Sequence, residues 1–260
     1  MNFTLDIWRH DPHTGESGFE LHEVDGIEGD SSILEVLDQL NERLIAEGKR
    51  SIAFDSDCRE GICGTCSLMI DGTAHGPQQV TSCQTYMRDF EDGAKIKIEP
   101  FRSSAFPEVR DLVVDRSAFD RVIQAGGYVS VTTGPQPHPN AMPVAQDVQE
   151  QVMDAAICIG CGACVAACPN GAAMLFTGAK ITHLNLLPQG QAEREERAIG
   201  MVEQMDAEGF GGCSNFGECS RVCPQEIGLD VINMLNSEYR EAIRSSRPSK
   251  RGGRTRMRAQ

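Results

Sequence analysis

The eleven cysteines of this 260-residue chain fall into three groups with regular spacing. The first group has the pattern C-x4-C-x2-C with a fourth cysteine farther along, and consists of Cys58, Cys63, Cys66 and Cys83. The second reads C-x2-C-x2-C-x3-C-P and consists of Cys158, Cys161, Cys164 and Cys168. The third reads C-x2-F-x2-C-x3-C-P, and its defining residues are Cys213, Phe216, Cys219 and Cys223.

This spacing favours metal binding over disulfide bridging. The number of cysteines is odd, and groups spaced by two residues are typical of metal ligands. Zinc is the alternative, but zinc sites usually contain paired C-x2-C halves or histidine ligands. None of the six histidines is spaced from another as metal ligands are. The two patterns seen here are those of plant-type [2Fe–2S] and bacterial iron–sulfur ligation, so we expect iron–sulfur clusters.

The first group predicts a [2Fe–2S] cluster held by one tight loop and one distal cysteine. Gly61 and Gly64 lie within the loop, where they allow backbone N–H groups to approach cluster sulfurs closely. The four predicted ligands are Cys58, Cys63, Cys66 and Cys83.

The second and third groups predict two clusters that exchange ligands. In proteins with two clusters, the fourth cysteine of such a run ligates the other cluster. A [4Fe–4S] cluster is therefore expected on Cys158, Cys161, Cys164 and Cys223. Three cysteines remain for the other cluster, namely Cys168, Cys213 and Cys219.

Phe216 stands where the third run would otherwise have a cysteine, and phenylalanine offers no ligand to iron. A cubane held by three thiolates can lack its fourth iron, so we expect a [3Fe–4S] cluster here. The alternative is a [4Fe–4S] cluster whose fourth ligand is an oxygen atom from water or from Ser214, Asn215 or Glu218.

The elements that would position these groups indicate an α+β protein of two domains. Apolar and polar residues alternate from Phe3 to Ile7, as in a half-buried strand, and Ser32 with Glu35 forms a capping-box pattern ahead of a helix. We expect an N-terminal β-grasp plant-type ferredoxin domain over residues 1–104. An all-α bacterial-ferredoxin-like domain is expected over residues 105–244, and a disordered basic tail over residues 245–260.

Charge and hydropathy limit the classes of partner. A net charge of −14 argues against nucleic acid as a partner. Residues 132–143 contain four prolines and predict an extended loop. The start of the chain lacks the basic and apolar regions of a signal peptide. The weakly charged stretch 152–176 contains four cysteines and a proline, which favours a cofactor loop over a membrane span.

The motifs together resemble the iron–sulfur subunit of succinate dehydrogenase and fumarate reductase. The resemblance rests on Ser56–Cys66, on Arg110–Arg116 with the sequence RDLVVDR, and on the second and third cysteine runs, and it covers nearly the whole chain. The resemblance is specific because one plant-type cysteine group is followed by two bacterial-type groups in this order.

The resemblance implies an electron-transfer subunit that holds neither dicarboxylate nor flavin. Electrons would pass from the FAD of a flavoprotein subunit through [2Fe–2S], [4Fe–4S] and [3Fe–4S] to a quinone. The flavoprotein would dock on the N-terminal domain and the membrane-anchor subunits on the C-terminal domain. We therefore expect a peripheral protein at the cytoplasmic face of the plasma membrane.

One departure from the family bears on the quinone site. Many ubiquinone-using members have a tryptophan, a serine and a histidine where this chain has Ala173, Asn170 and Ser214. The chain is thus closer to menaquinone-linked members, and its quinone contacts stay unassigned. Operation as a quinol:fumarate reductase is an alternative direction, and a stand-alone soluble ferredoxin-type carrier is an alternative of another class.

Overall fold

The computed structural model describes residues 1–131, 138, 140 and 144–246. The loop predicted over residues 132–143 therefore lies, apart from His138 and Asn140, outside the described residues, as does the predicted tail from residue 247 onward. Among the described helices, none is long and apolar enough to cross a membrane.

A five-stranded mixed sheet forms the first half of the chain. Its strands are β1 (Phe3–His10), β2 (Ser17–Val24), β3 (Leu68–Ile70), β4 (Thr73–Ala74) and β5 (Lys95–Pro100). The order across the sheet is β2-β1-β5-β3-β4, in which β1 and β5 run parallel and the other neighbours antiparallel. Phe3, Leu5 and Ile7 are buried on one face, which confirms the alternation read from the sequence.

Helix α1 (Ile33–Ala46) supplies the other layer of the first core. Ser32 caps it, and the reciprocal bonds of the capping box with Glu35 are both present, as predicted. Its buried face, which includes Leu37, Leu40 and Leu44, belongs to the same hydrophobic cluster as the inner residues of the sheet.

A short hairpin interrupts the range that was predicted to be all helical. Strands β6 (Glu108–Arg110) and β7 (Val113–Val114) pair antiparallel, so the prediction of an all-α domain over 105–244 is wrong at its start. Asp111 turns the chain between them and is fully buried, with its carboxylate accepting hydrogen bonds from Arg9, Arg50 and the backbone N–H of Ala53. These contacts fasten the hairpin to the first half, which the local sequence pattern did not reveal.

The rest of the described chain is helical and builds a second core. The helices are α2 (Ser117–Gln124), α3 (Gln146–Ala156), α4 (Ala163–Ala167), α5 (Met174–Leu186), α6 (Arg194–Ala207), α7 (Glu218–Arg221) and α8 (Asp230–Ser246). Helix α5 is buried along most of its length and packs against α3, α6 and α8. The overall class is therefore α+β, as predicted.

The two cores interlock near the predicted domain boundary. Phe101 and Phe106 pack in the second core, whereas Leu112, farther along the chain, packs in the first. Helix α8 continues to Ser246, two residues beyond the predicted end of the second domain. The chain thus crosses between the cores more than once around residue 104.

Candidate metal centres

The first cysteine group lies on an irregular loop between α1 and β3, with Cys83 on a short 3-10 turn (Ser82–Gln84). Cys58 and Cys63 are half-buried, and Cys66 and Cys83 are buried. The thiols of Cys58 and Cys63 interact with each other, as do those of Cys66 and Cys83. The structure therefore brings all four cysteines of the first group together, two of them half-buried and two buried.

Backbone N–H groups in this loop favour the thiolate form that iron requires. The N–H of Glu60 lies 3.3 Å from Cys58 Sγ, and the N–H of Thr65 lies 3.4 Å from Cys63 Sγ. The bond from Glu60, with others from Ile62 and Cys63, lowers the pKa of Cys58 to about 7. Burial instead raises the pKa of Cys66 to about 12, and a bound cation would favour its thiolate form.

The second candidate centre is a cavity that is partly open to solvent, and its volume including the open part is about 350 Å³. The cysteines that line it are Cys158, Cys161, Cys164 and Cys223. Burial raises the pKa of Cys161 to about 12, and burial also holds the pKa of Cys164 well above its usual range. The structure thus places the last cysteine of the third run beside the first three of the second run, as the exchange of ligands requires.

The third candidate centre is a cavity of about 370 Å³, measured in the same way. The cysteines that line it are Cys168, Cys213 and Cys219. Phe216 also lines the cavity and is 60% exposed, and Cys213 is exposed. This centre therefore opens at the surface. Ser214, Asn215 and Glu218 line it too, so the alternative of an oxygen ligand keeps a structural basis.

The donor sets fit clusters rather than a single ion. Among the described residues, no three His, Cys, Asp or Glu side chains converge as one metal ion would require. In a cluster the thiolates bind different irons, so they surround a larger object. The two cavities and the paired thiols of the first loop have the donor chemistry for [2Fe–2S] and cubane clusters. The individual ligand assignments stay predictions.

The positions that depart from the ubiquinone-using members have structural roles near the third centre. The amide nitrogen of Asn170 donates to Ser214 Oγ and to the carbonyl of Gly212, both at 2.8 Å. Asn170 thereby ties the segment after Cys168 to the loop that begins at Cys213. Ala173 is fully buried in the second core and does not line the cavity. These two positions are thus engaged in holding the fold together.

The sequence did not show how the first two centres contact each other. Gly64 has a φ of +70°, and a Cβ added to it would lie 2.3 Å from the carbonyl oxygen of Ile159. The first loop therefore rests directly on the backbone of the second. Ser67 Oγ donates to the carbonyl of Cys161 at 3.2 Å, and Arg116 contacts both loops. Arg116 closes the RDLVVDR motif, but that motif gave no sign of its partners.

Comparison with family models defines the class of protein. Residues 4–121 match the family described as 2Fe-2S iron-sulfur cluster binding domain, and residues 157–227 match that described as 4Fe-4S dicluster domain. The chain is therefore an iron–sulfur protein with a 2Fe-2S domain followed by a 4Fe-4S dicluster domain.

Known proteins narrow the class to one family. The chain is 30% identical over 224 residues to the fumarate reductase iron-sulfur subunit of Haemophilus influenzae, covering 79% of each chain. It is 31% identical over 198 residues to the succinate dehydrogenase iron-sulfur subunit of Bacillus subtilis, covering 72% of each. This chain belongs to the family of iron–sulfur subunits of succinate dehydrogenase and fumarate reductase.

A solved structure supports the fold. A chain of the Mycobacterium smegmatis Sdh1 complex in the apo form aligns with a TM-score of 0.62 at 21% identity. The alignment covers 96% of this chain and 98% of the other, so the likeness extends over both halves of the fold.

Proposed function

We propose that this chain is the electron-transfer subunit of a succinate:quinone oxidoreductase. Electrons would enter from the FAD of a flavoprotein subunit and leave to a membrane quinone. The observation that carries the proposal is that three cysteine-lined centres lie in one chain, with the middle one adjoining both others. Gly64 seats the first loop on the second, and helix α4 connects Cys164 of the second centre to Cys168 of the third.

The proposed ligand assignments follow the cysteine groups except that Cys168 and Cys223 are exchanged between the second and third. The β-grasp domain would hold [2Fe–2S], the cavity of the second centre [4Fe–4S], and the surface-open cavity [3Fe–4S]. When bound, these clusters accept and release single electrons. The chain supplies the thiolates, and three of the four cysteines at the middle centre are buried, which limits the access of water to it. Neither a flavin nor a dicarboxylate is assigned to this chain.

Two exposed apolar side chains support the placement of partners. Ile62, next to Cys63, is 65% exposed, and Phe216 at the third centre is 60% exposed. Exposed apolar residues beside redox centres are suited to burial against another subunit. We place the flavoprotein at the surface around Ile62 and the membrane anchor at the surface around Phe216. The chain would then be peripheral on the cytoplasmic face of the plasma membrane. Quinone would bind through the anchor.

Relatives named for succinate dehydrogenase and for fumarate reductase both match. The proposal therefore includes the reverse direction, quinol:fumarate reduction, because both directions use the same sequence of centres.

The cluster content of the purified chain and the subunits that co-purify with it test the proposal. Purified anaerobically from its own cells, the chain should co-elute with a flavoprotein and membrane subunits. Its electron paramagnetic resonance spectra should show a [3Fe–4S] signal when the protein is oxidised and a [2Fe–2S] signal when it is reduced. A chain that elutes alone with all its clusters would instead support the soluble carrier, and bound zinc without iron would overturn both readings.

A further inference from the structure

Arg116 lies at the start of α2, between the first and second centres. Its Nη1 donates to the carbonyl of Gly64 at 2.6 Å, to that of Cys161 at 2.8 Å and to that of Gly160 at 3.3 Å. Gly64 belongs to the loop of Cys63 and Cys66, and the other two carbonyls belong to the run that begins at Cys158. One nitrogen atom therefore bridges the two cysteine loops.

This half-buried guanidinium forms no direct ion pair, although Asp55 lines the same groove and the Arg116 charge opposes the burial that raises the pKa of that carboxyl. Across residues 1–131, 138, 140 and 144–246, Arg116 forms no ion pair within 4 Å. The remaining stretches contain neither Asp nor Glu. Other arginines of the fold differ, since Arg9 pairs with Asp111 and Arg121 with Glu208.

A half-buried positive charge without a direct ion-pair partner is stabilised when a negatively charged group binds beside it. The groups that the Arg116 side chain approaches are the two candidate cluster sites, and it lines the same surface groove as Cys63 and Cys158. Clusters ligated by thiolates carry net negative charge, and that charge grows when an electron is added. Nearby positive charge therefore favours the reduced form.

We propose that Arg116 is a positioning residue shared by the first two clusters and the counter-charge for both. Its three carbonyl bonds fix the distance between the cysteine loops, and its charge makes both clusters easier to reduce. The inference rests on the proposed function, because it requires clusters at both centres.

The test uses the complete complex with Arg116→Gln, Arg116→Lys and the control Arg121→Gln, which removes an arginine from the same helix. Reduction equilibria are followed by redox titration with electron paramagnetic resonance. In Arg116→Gln we expect both equilibria to shift toward the oxidised form by about threefold or more. Arg116→Lys should keep both equilibria close to those of the wild type, and the control variant and the third cluster should show no shift.

The Lys variant separates charge from geometry. Its ammonium keeps the charge but lacks the planar fork of arginine, so the magnetic interaction between the two clusters should change while their potentials stay near wild type. If Arg116→Gln fails to assemble, Arg116→Lys still tests the positioning role, and an unchanged magnetic interaction between the two clusters in that variant would overturn it. Unshifted potentials in Arg116→Gln, or a shift in Arg116→Lys as large as that in Arg116→Gln, would overturn the inference. If the wild-type complex lacked these clusters, the proposed function would fail instead.

Discussion

Replacing Gly64 by alanine tests the close backbone contact between the first and second cysteine loops. Two effects add at this position. The φ of +70° is a left-handed conformation that a side chain resists. The new Cβ would also lie 2.3 Å from the carbonyl oxygen of Ile159 and 3.0 Å from the amide nitrogen of Cys161.

Gly48 isolates the first effect. It follows α1 with the same φ of +70°, and nothing lies within 4 Å of the position that its Cβ would take. We expect Gly48→Ala to lower the free energy of unfolding by about 1 kcal/mol, the usual cost of a left-handed alanine. Gly64→Ala should cost at least about twice that, because backbone atoms on both sides of the clash must move apart.

Thermal unfolding of the loaded protein measures the difference. For a chain of this size, 1 kcal/mol corresponds to a shift in Tm of about 2–4 °C. We expect Gly48→Ala to fall within that range and Gly64→Ala to exceed it. Gly64→Ala alone should also weaken the magnetic interaction between the first two clusters, because the loops separate. Equal losses of Tm with an unchanged interaction would refute the close contact.

Three further predictions concern the other centres and the pH dependence of stability. Cys168→Ser should remove the [3Fe–4S] signal and spare the [4Fe–4S] cluster, and Cys223→Ser should do the reverse; the opposite pattern would contradict the exchange of ligands. Phe216→Cys should add a fourth iron to the third cluster, which iron analysis and the loss of the oxidised signal would reveal; an unchanged iron content would favour an oxygen ligand. Burial lowers the pKa of His22 in the folded chain, so the unfolded chain binds the proton first as the pH falls below about 6.5. The free energy of unfolding should therefore decline as the pH falls below about 6.5. Urea titrations should show a smaller decline in His22→Gln, and equal declines in the two proteins would contradict a contribution from His22.

Local patterns were enough to predict the elements that carry the clusters. Ser32 and Glu35 mark the start of α1 because a capping box is a contact within one turn. The cysteine runs are equally local, and their spacing predicts which thiols meet. The pairing of Cys223 with the second run needed only the general rule for two-cluster proteins.

Contacts between distant segments could not be predicted in this way. The side chains of Asp111 and Arg116 form these hydrogen bonds with residues that lie 44 or more positions away in the sequence. Nothing in the surrounding sequence distinguishes a buried aspartate or a bridging arginine from a solvated one. The hairpin of β6 and β7 was missed for the same reason, since it is fastened by Arg9 and Arg50 from the first half of the chain.

Succinate-driven reduction of the clusters shows whether this chain carries electrons between succinate and quinone. The purified complex would be mixed with succinate, frozen at intervals and examined by electron paramagnetic resonance. We expect succinate to abolish the oxidised [3Fe–4S] signal and added quinone to restore it. A signal that dithionite removes but succinate leaves intact, in a complex that contains its flavoprotein, would contradict the assignment of this chain as the path between succinate and quinone.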